Sequence, residues 1–596
     1  MPVIIYYFCL YIRMTDLSYS WNNIYSAKCS SDAVTGKSIA LCHFKKTHMN
    51  KINLIFMLLL SASLVSVQKA QGCTIIAVGK KATADGSVLI SHTDSGPDSR
   101  IYYVPGKTFR AGEQAPVYWG IQDAALSLMD DGEVLGYIPQ VRKTYGYFHS
   151  AYSHMNEVQL GIAESTTSQR PELICTREGG KQIMTIEQAM IFALQRCDKA
   201  REAVLLIGDL MIRYGFLPSS GDGSEALVIA DTEEAWVFEV FGVGNGWEPG
   251  SGKPGAIWAA QRLPDDQATM VPNWSIIKEI DAGDKSQFLV SDNYMKEAID
   301  RGWYDPASGK PFVWQEAYAP LPEEFATGRF WLFFSTFMPN LKQWPDRMLD
   351  PTNPYKGMEP YFQVVEPLSI YPFAAVPEKK ISVRDVIAFQ RSTFEGTIYD
   401  MTSYPEWLVP DGKGGYVKSP LATPFPGSEM RKLIKQTYRR PVARHRGHYG
   451  MVMQLRDWLP DAIGGVYWVY LDNPYFSPYV PIYAGNLSVA ETYNIYDPEK
   501  YDERSARWAI DFVDNLANLR FRDIAADVRT VRDPFEEEIF AGQEKTEKEA
   551  LEMYKKNPET ARKFLTAYSD AKMNAVTKMF IELRDQIITL YTNNRE

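Results

Sequence analysis

Residues 73–96 have the sequence CTIIAVGKKATADGSVLISHTDSG, which predicts a β-hairpin. Residues 74–78 and 88–90 are apolar runs with high β-propensity. Residues 79–87 between them are turn material and contain the turn dipeptide Asp-Gly. Two adjacent strands with such a connection are expected to pair with each other.

The pairing of this hairpin places distant residues together. With its midpoint near Thr83, the residue numbers of opposed pairs sum to about 166, so that Cys73 faces Thr93. A bulge can shift this register by a residue or two. In either case the pairing brings His92 and Asp94 beside Cys73.

A short apolar segment precedes the hairpin. Residues 52–67, INLIFMLLLSASLVSV, follow a lysine-containing stretch and lead to small residues that end at Gly72. The segment is shorter than the roughly 20 residues that a membrane span requires. A basic start, an apolar middle and a small-residue exit are typical of a secretory signal peptide. We therefore expect Met49 to be the natural start, residues 49–72 to be the signal peptide, and residues 1–48 to be a non-native or unstructured extension. The alternative is an internal membrane anchor.

Removal of such a peptide would make Cys73 the first residue of an exported protein, periplasmic or extracellular. Three cysteines would then remain, Cys73, Cys175 and Cys197, and an odd number leaves at least one thiol unpaired. Cys197 lies on the apolar side of a predicted helix and is expected in the core. The chain has a net charge of −10 and no block of lysine and arginine, which excludes a nucleic-acid partner held through its phosphates.

An N-terminal cysteine carries a thiol and a free α-amine on one residue. The amine has a reference pKa of about 7.7–8.0, so at neutral pH it can accept the thiol proton directly or through one water. Asp94 could orient the ammonium group, and His92 could donate to a developing oxyanion or bind a substrate carboxylate. This combination predicts amide hydrolysis through an acyl-thioester, with no metal and no cofactor.

Other interpretations of these residues remain open. Cys73 could be the lipid-modified cysteine of a lipoprotein, although the residues before it lack the leucine expected there. It could also be an inert N-terminal cysteine. His92 by itself would more often be structural than catalytic, and its interest comes from the pairing with Cys73.

Further motifs follow the hairpin along the chain. They are CT at 73–74, VGKKA at 78–82, DGS at 85–87, HMNE at 154–157, GIAE at 161–164, AWVFE at 235–239, WAAQRLPDD at 258–266 leading to Asn273, EGT at 395–397, DMT at 400–402, LP at 459–460 and PIY at 481–483. In this order they resemble peptidase family C69. Its dipeptidases are N-terminal-nucleophile (Ntn) hydrolases related to penicillin V acylases and bile salt hydrolases. The resemblance covers about residues 73–485.

The resemblance implies roles for individual residues. Cys73 matches the nucleophile that also supplies the α-amine, and Asp94 matches the aspartate that follows the second strand. Asn273 resembles the asparagine whose side-chain amide helps to form the oxyanion hole, where loss of one donor costs about 3–4 kcal/mol. Asn156 and Arg446 match positions in the substrate pocket.

One residue departs from the family pattern. Where many relatives have an arginine on the second strand, this sequence has His92. A histidine is shorter, and with a reference pKa near 6.5 it is only partly charged at pH 7. We therefore expect activity or substrate preference to fall more steeply with rising pH than it does with an arginine.

The rest of the chain predicts the α+β class. Thr185 with Gln188 forms a possible capping box before a helix, a second helix covers 200–214, and strands cover 226–230 and 235–241. Helix pairs and alternating strands suit two antiparallel sheets between helical layers, and the family resemblance implies the same αββα sandwich.

Two segments interrupt this pattern. Residues 301–380 are dense in aromatic residues and prolines without a clear period, which predicts ordered loops or an insertion over the site. After residue 490 the composition changes, and a charged helix at 544–556 precedes a long helix that starts at 558. We therefore predict a catalytic domain at 73–489 and a helical C-terminal extension at 490–596 that packs on the core or on a partner subunit.

Together these observations predict an exported cysteine dipeptidase that cleaves short peptides. An N-acyl amide acylase of the same fold and a lipid-anchored binding protein without catalysis are the alternatives. The expected partner is a short peptide substrate, with a second copy of the chain as an open alternative, and neither nucleic acid nor stable membrane association is expected after processing.

Overall fold

Two antiparallel β-sheets lie face to face at the centre of the protein. The computed structural model describes residues 73–593 except 95–98, 120–132, 220–222, 320–323, 342–370, 398, 437–438 and 446. The predicted signal peptide, the extension before it and Arg446 lie outside the described residues. Within the described ranges, no helix is both long enough and apolar enough to cross a membrane.

The first sheet has six strands in the order β14-β1-β2-β18-β19-β20, and each neighbouring pair is antiparallel. The strands are β1 (Thr74–Val78), β2 (Val88–Asp94), β14 (Ala268–Val271), β18 (Tyr449–Leu455), β19 (Val466–Leu471) and β20 (Val480–Tyr483). Every residue in them is buried. Burial of both faces explains why β1 and β19 are continuous apolar runs and do not alternate.

The second sheet has eight strands in the order β15-β13-β12-β11-β8-β7-β6-β3. They are β3 (Tyr102–Val104), β6 (Tyr147–His149), β7 (Ser153–Asn156), β8 (Gly161–Thr167), β11 (Ser224–Ala230), β12 (Ala235–Phe241), β13 (Ile257–Arg262) and β15 (Phe288–Val290). Strands β1 and β2 contact β8, and β2 also contacts β11. The predicted hairpin therefore packs directly on the middle of the second sheet.

Three two-stranded pairs and eleven α-helices, together with short 3-10 helices, complete the described structure. The pairs are β4 (Gln114–Trp119) with β5 (Glu133–Pro139), β9 (Met184–Thr185) with β10 (Phe216–Leu217), and β16 (Leu408–Pro410) with β17 (Tyr416–Lys418). The helices are α1 (Ile186–Arg196), α2 (Ala200–Tyr214), α3 (Lys296–Asp300), α4 (Trp314–Tyr318), α5 (Glu324–Phe337), α6 (Val383–Gln390), α7 (Ser428–Leu433), α8 (Asp461–Gly464), α9 (Ala506–Ala517), α10 (Phe521–Lys556) and α11 (Pro558–Tyr591).

Helices cover the outer face of each sheet. Helices α1 and α2 pack on the eight-stranded sheet, and α6, α9 and α11 contact the six-stranded sheet. At the start of α1 the Thr185 side chain accepts a hydrogen bond from the backbone N–H of Gln188, as the sequence predicted. The αββα sandwich of the α+β class is therefore confirmed.

The hairpin register differs from the predicted one by one residue. Thr93 faces Thr74, and His92 faces Ile75, because the centre of the connecting turn lies half a residue later than Thr83. Continuing this register places Asp94 opposite Cys73. A one-residue shift moves side chains to the other face of a strand. The observed register is therefore the one that puts Cys73, His92 and Asp94 on a common face.

The C-terminal helices form a layer of the sandwich. Helix α9 contacts β19, and α11 contacts β20. Buried side chains of these helices, such as Ile510 and Phe580, join the same apolar core as Ile75 of β1. Arg456, just after β18, forms an ion pair of 2.8 Å with Glu547 of α10. Of the two packing partners predicted for the 490–596 segment, the structure shows the core.

Helix α10 is much longer than the charged helix predicted at 544–556, since it begins at Phe521. The sequence prediction missed its first half, in which charged residues are frequent and Pro534 interrupts the helical pattern. The long helix predicted from residue 558 is α11, in which Leu565 and Leu583 are buried, whereas Leu590 is exposed.

Candidate active site

Cys73 lies at the start of β1, between the two sheets, and is only 4% exposed. Its Sγ is 3.4 Å from Oδ1 of Asp94, which ends β2 in the same sheet. The same Sγ is 3.2 Å from Oε2 of Glu164, which lies on β8 of the facing sheet. Burial, and then the charges of Glu164 and Asp94, raise the pKa of this thiol well above its ordinary value. The thiol therefore needs a base in order to react.

Glu164 belongs to a pair of buried carboxyl groups. Leu227 on β11 faces Glu164 in the sheet, and Glu225, two residues earlier on the same strand, shares that face. Burial raises the pKa of Glu164 to about 7. Burial, and then repulsion from Glu164, raise the pKa of Glu225 well above its usual range. Oε1 of Glu225 accepts hydrogen bonds from the backbone N–H and the hydroxyl of Ser219.

His92 lies on the same face as Cys73 and is completely buried. Its Nε2 is 3.7 Å from Oε2 of Glu164, and its ring packs against the rings of Tyr152 and His154. Neither ring nitrogen is in hydrogen-bonding geometry with a described partner. Burial lowers the pKa of His92 to about 4, so the ring is neutral at pH 7. A neutral ring would not give the fall in activity with rising pH expected from the sequence, and the pH dependence of activity stays a prediction.

Asn273 follows β14 and adopts a left-handed backbone with φ of 63°. Such a conformation is uncommon outside glycine, and asparagine tolerates it better than most residues. The Asn273 amide nitrogen donates to Oγ of Ser165 at 3.1 Å and to the carbonyl oxygen of Thr166 at 2.8 Å. These bonds fix the amide beside β8, the strand that carries Glu164. Its role in an oxyanion hole stays a prediction, since an oxyanion would have to replace one of these acceptors.

Arg329 on α5 connects the nucleophile to Asn273, and the sequence analysis missed it. Its Nη1 donates to the carbonyl oxygen of Cys73 at 3.1 Å and to Oγ1 of Thr74 at 2.5 Å. Its Nη2 donates to the carbonyl oxygen of Pro272 at 2.6 Å and to Oδ1 of Asn273 at 2.9 Å. The one signal in the sequence was a single arginine in the apolar run FATGRFWLFF of α5. The 301–380 region is predicted to form ordered loops or an insertion over the site, and in its described part a helix supplies this arginine.

A second arginine reaches Asn273 from late in the chain. Nη1 of Arg440 donates to Oδ1 of Asn273 at 2.7 Å. The family resemblance implied a pocket position for Arg446 and gave none to Arg440. Arg446 lies outside the described residues, so its substrate contact stays a prediction.

The side-chain amide of Asn156 is hydrogen-bonded to backbone groups of the fold. Its amide nitrogen donates to the carbonyl oxygens of Leu194 and Cys197, both at 2.9 Å. Its amide oxygen accepts from the backbone N–H groups of Val158 and Leu160. These four bonds use the full capacity of the amide and tie the turn after β7 to the end of α1. A substrate contact of Asn156 remains a prediction that would require one of them to break.

The three residues predicted from the hairpin could together ligate a cation. The ligand atoms of Cys73, His92 and Asp94 all lie within 4.8 Å of one another. Thiolate, imidazole and carboxylate groups are the usual ligands of zinc. The hydrolysis expected from an N-terminal cysteine does not require a metal, and the prediction that the protein uses no metal and no cofactor stays a prediction.

Comparison with known proteins provides independent information. The sequence model described as "Peptidase family C69" matches residues 72–533. A probable dipeptidase B of Lactococcus lactis subsp. lactis (strain IL1403) is 25% identical over 534 residues, covering 88% of this chain and 96% of that protein. A probable dipeptidase B of Streptococcus pyogenes serotype M1 is 23% identical over 520 residues, covering 86% and 91%. A probable dipeptidase of Latilactobacillus sakei is 24% identical over 447 residues, covering 73% and 79%.

Proposed function

The chain belongs to peptidase family C69, and we propose that it is a dipeptidase in which Cys73 is the nucleophile. The names of the similar proteins support the substrate class. The observation that supports the nucleophile most directly is the position of the Cys73 Sγ, in contact with Asp94 and Glu164 between the two sheets.

In this proposal, removal of the residues before Cys73 creates the catalytic base. The new α-amine lies on the residue that carries the thiol, and it accepts the thiol proton directly or through one water. A general base is needed because burial and the two neighbouring carboxyl groups disfavour a thiolate. Asp94 sits opposite Cys73 in the hairpin register and stabilises the ammonium form.

The reaction then has two steps. Sγ attacks the peptide carbonyl carbon, an S–C bond forms, and the carbonyl oxygen becomes an oxyanion that accepts a hydrogen bond from the Asn273 amide. The C–N bond breaks as the α-ammonium returns its proton to the leaving amine, which leaves an acyl-thioester on Cys73. Water, deprotonated by the same amine, attacks the thioester carbonyl, and the C–S bond breaks. The thiolate regains the proton, so the enzyme returns to its initial state.

Arg329 has a positioning role in this scheme. It holds the carbonyl of Cys73 and the side chain of Asn273 through one planar guanidinium group, so the nucleophile and the oxyanion donor keep a fixed separation.

The proposal includes export, with the 49–72 segment as a signal peptide and the processed enzyme in the periplasm or outside the cell. N-terminal sequencing of protein recovered from each cell fraction tests this part. An exported protein that begins at Cys73 supports it, and an active protein that retains the 52–67 segment contradicts it.

A substrate series tests the activity. The processed protein is incubated with a dipeptide, a tripeptide and an N-acyl amide that share one residue, and the released amines are quantified. The proposal predicts rapid hydrolysis of the dipeptide. Preferred hydrolysis of the N-acyl amide would instead identify an acylase of the same fold, and no hydrolysis together with lipid on Cys73 would identify a binding protein.

A further inference from the structure

Among the described residues, the buried glutamates beside the nucleophile have no lysine or arginine partner. Glu164 and Glu225 are both 0% exposed. Within the described ranges neither forms an ion pair with a lysine or an arginine, and His92, whose Nε2 lies 3.7 Å from Glu164, is held neutral by burial. Oε2 of Glu225 accepts no hydrogen bond from a described group. Buried carboxylates are normally paired with a cation, so this pair is suited to a cation that a ligand supplies.

The distance of this pair from Cys73 fits a particular part of a peptide. When Sγ attacks, it bonds to the carbonyl carbon of the substrate's first residue. The α-nitrogen of that residue is about 2.5 Å from this carbon, because only Cα separates the two atoms. Oε2 of Glu164 is 3.2 Å from Sγ. A carboxylate at that distance is within hydrogen-bonding reach of the substrate's α-ammonium group.

We propose that Glu164, with Glu225 behind it, is the subsite for the free α-ammonium group of the substrate, so the enzyme accepts peptides with an unblocked N-terminus. This inference rests on the proposed function, because it takes Cys73 as the nucleophile. The subsite explains how a dipeptide is distinguished from an N-acyl amide, which presents a neutral group at the same position.

Charge balance separates this role from that of Asp94. The processed enzyme has one α-ammonium group of its own, and Asp94 is the carboxylate opposite Cys73 in the same sheet. Glu164 and Glu225 approach from the facing sheet. Because neither Glu164 nor Glu225 forms an ion pair with a lysine or an arginine of the described residues, pairing of Asp94 with the α-ammonium group leaves these two glutamates available for a second cation from the substrate.

The test compares a dipeptide with its N-acetyl derivative and its des-amino analogue. Glu164→Gln and Glu225→Gln keep the side-chain shape and remove the ability to ionise when a cation binds. Glu234→Gln is the control, since Glu234 follows the other end of β11 and pairs with Arg262. For the unmutated enzyme, we expect kcat/KM to be lower by about 100-fold or more for both analogues. For the free dipeptide, kcat/KM of each subsite variant should fall by about 10-fold or more, mainly because KM rises. The ratio of kcat/KM between the free dipeptide and its two analogues should also fall. In the Glu234→Gln control this ratio should stay at its unmutated value.

Several results would overturn the subsite. One is equal hydrolysis of the free and the N-acetyl dipeptide by the unmutated enzyme, which needs no variant to fold. Another is an equal loss of kcat on all three substrates in Glu164→Gln, which would place Glu164 in the chemistry of Cys73. Thermal melting of each variant identifies losses caused by misfolding, and Glu225→Gln still tests the pair if Glu164→Gln does not fold. Hydrolysis that persists in Cys73→Ala would contradict the proposed function itself, and this result is distinct from those that overturn the subsite.

Discussion

The carbonyl oxygen of Cys73 accepts a hydrogen bond of 3.1 Å from Arg329, a residue 256 positions further along the chain. The position of Cys73, the residue just before β1, therefore depends on helix α5, which no local sequence pattern connects to the hairpin. The same guanidinium also reaches Asn273, so one buried cation joins three segments of the site.

Replacing Arg329 tests this connection. Arg329→Lys keeps the charge but loses the planar fork, so at least two of the four hydrogen bonds should be lost. A hydrogen bond to a charged group contributes about 1.5–3 kcal/mol, so we expect a clear fall in the free energy of unfolding. We also expect kcat to be about 10- to 100-fold lower. Urea denaturation measures the first quantity and steady-state kinetics the second. Arg213→Lys, at an exposed pair with Asp209, is the matched control. An Arg329→Lys enzyme with unchanged kcat would show that the bond to Cys73 does not position the nucleophile.

Replacing the nucleophile should separate chemistry from folding. Cys73→Ser should lose about 10³-fold or more in kcat, because a hydroxyl is a much weaker nucleophile than a thiol beside the same amine. Its circular dichroism and melting temperature should stay close to those of the unmutated protein, since Ser and Cys have similar volumes. Cys197→Ala is the control for removing a buried thiol elsewhere. Hydrolysis of dipeptides by Cys73→Ser at the unmutated rate would remove Cys73 from the mechanism.

The raised pKa of Glu164 predicts a pH-dependent difference in stability. Its pKa rises from 4.5 to about 7 on folding, so the folded protein favours the protonated form. That contribution is fully present below pH 4.5 and is lost as the pH rises towards 7. Glutamine cannot ionise. The unfolding free energy of Glu164→Gln, relative to the unmutated protein, should therefore increase between pH 4.5 and 7 by up to about 3 kcal/mol.

This measurement is made on the chain that retains Gly72, so that Cys73 carries no α-ammonium charge that could pair with Glu164. Glu537→Gln is a control of opposite sign, because the hydrogen bond and charge of Arg384 lower the pKa of Glu537. A relative stability of Glu164→Gln that is flat or falling over this range would show that Glu164 is ionised in the folded protein.

The buried His92 predicts the shape of the pH–rate profile. Its pKa of about 4 means that its charge does not change between pH 6 and 8. The kcat/KM profiles of the unmutated enzyme and His92→Asn should therefore have the same shape over this range after scaling, whatever the loss in absolute rate. A step near pH 6.5 that disappears in His92→Asn would indicate that His92 titrates at its ordinary value.

The hairpin could be predicted from the sequence because its strands are adjacent in the chain and joined by an Asp-Gly turn. Local rules gave the pairing to within one residue, but the side of the strand on which Cys73 lies depends on that one residue. Only the structure shows that Asp94, and not Thr93, is opposite Cys73.

The remaining part of the site depends on contacts between distant segments. A glutamate within a buried strand can be noticed in the sequence, as Glu164 in GIAESTT and Glu225 in SEALVIA. Only the sheet register shows that both side chains lie on one face. Glu239 also interrupts a buried strand, yet its carboxylate accepts hydrogen bonds from the Ser275 hydroxyl and from the backbone N–H groups of Ile276 and Ile277. A glutamate in an apolar strand therefore does not by itself indicate a site.

The most direct test of the account is the mass of the N-terminal peptide of active enzyme that is denatured during turnover of a dipeptide. We predict a peptide that begins at Cys73 with a free α-amine, part of which carries the mass of the substrate's first residue as a thioester on Sγ. A fully active enzyme whose chain begins elsewhere, whose Cys73 nitrogen is in an amide with an upstream residue, or whose Cys73 carries a lipid would contradict it.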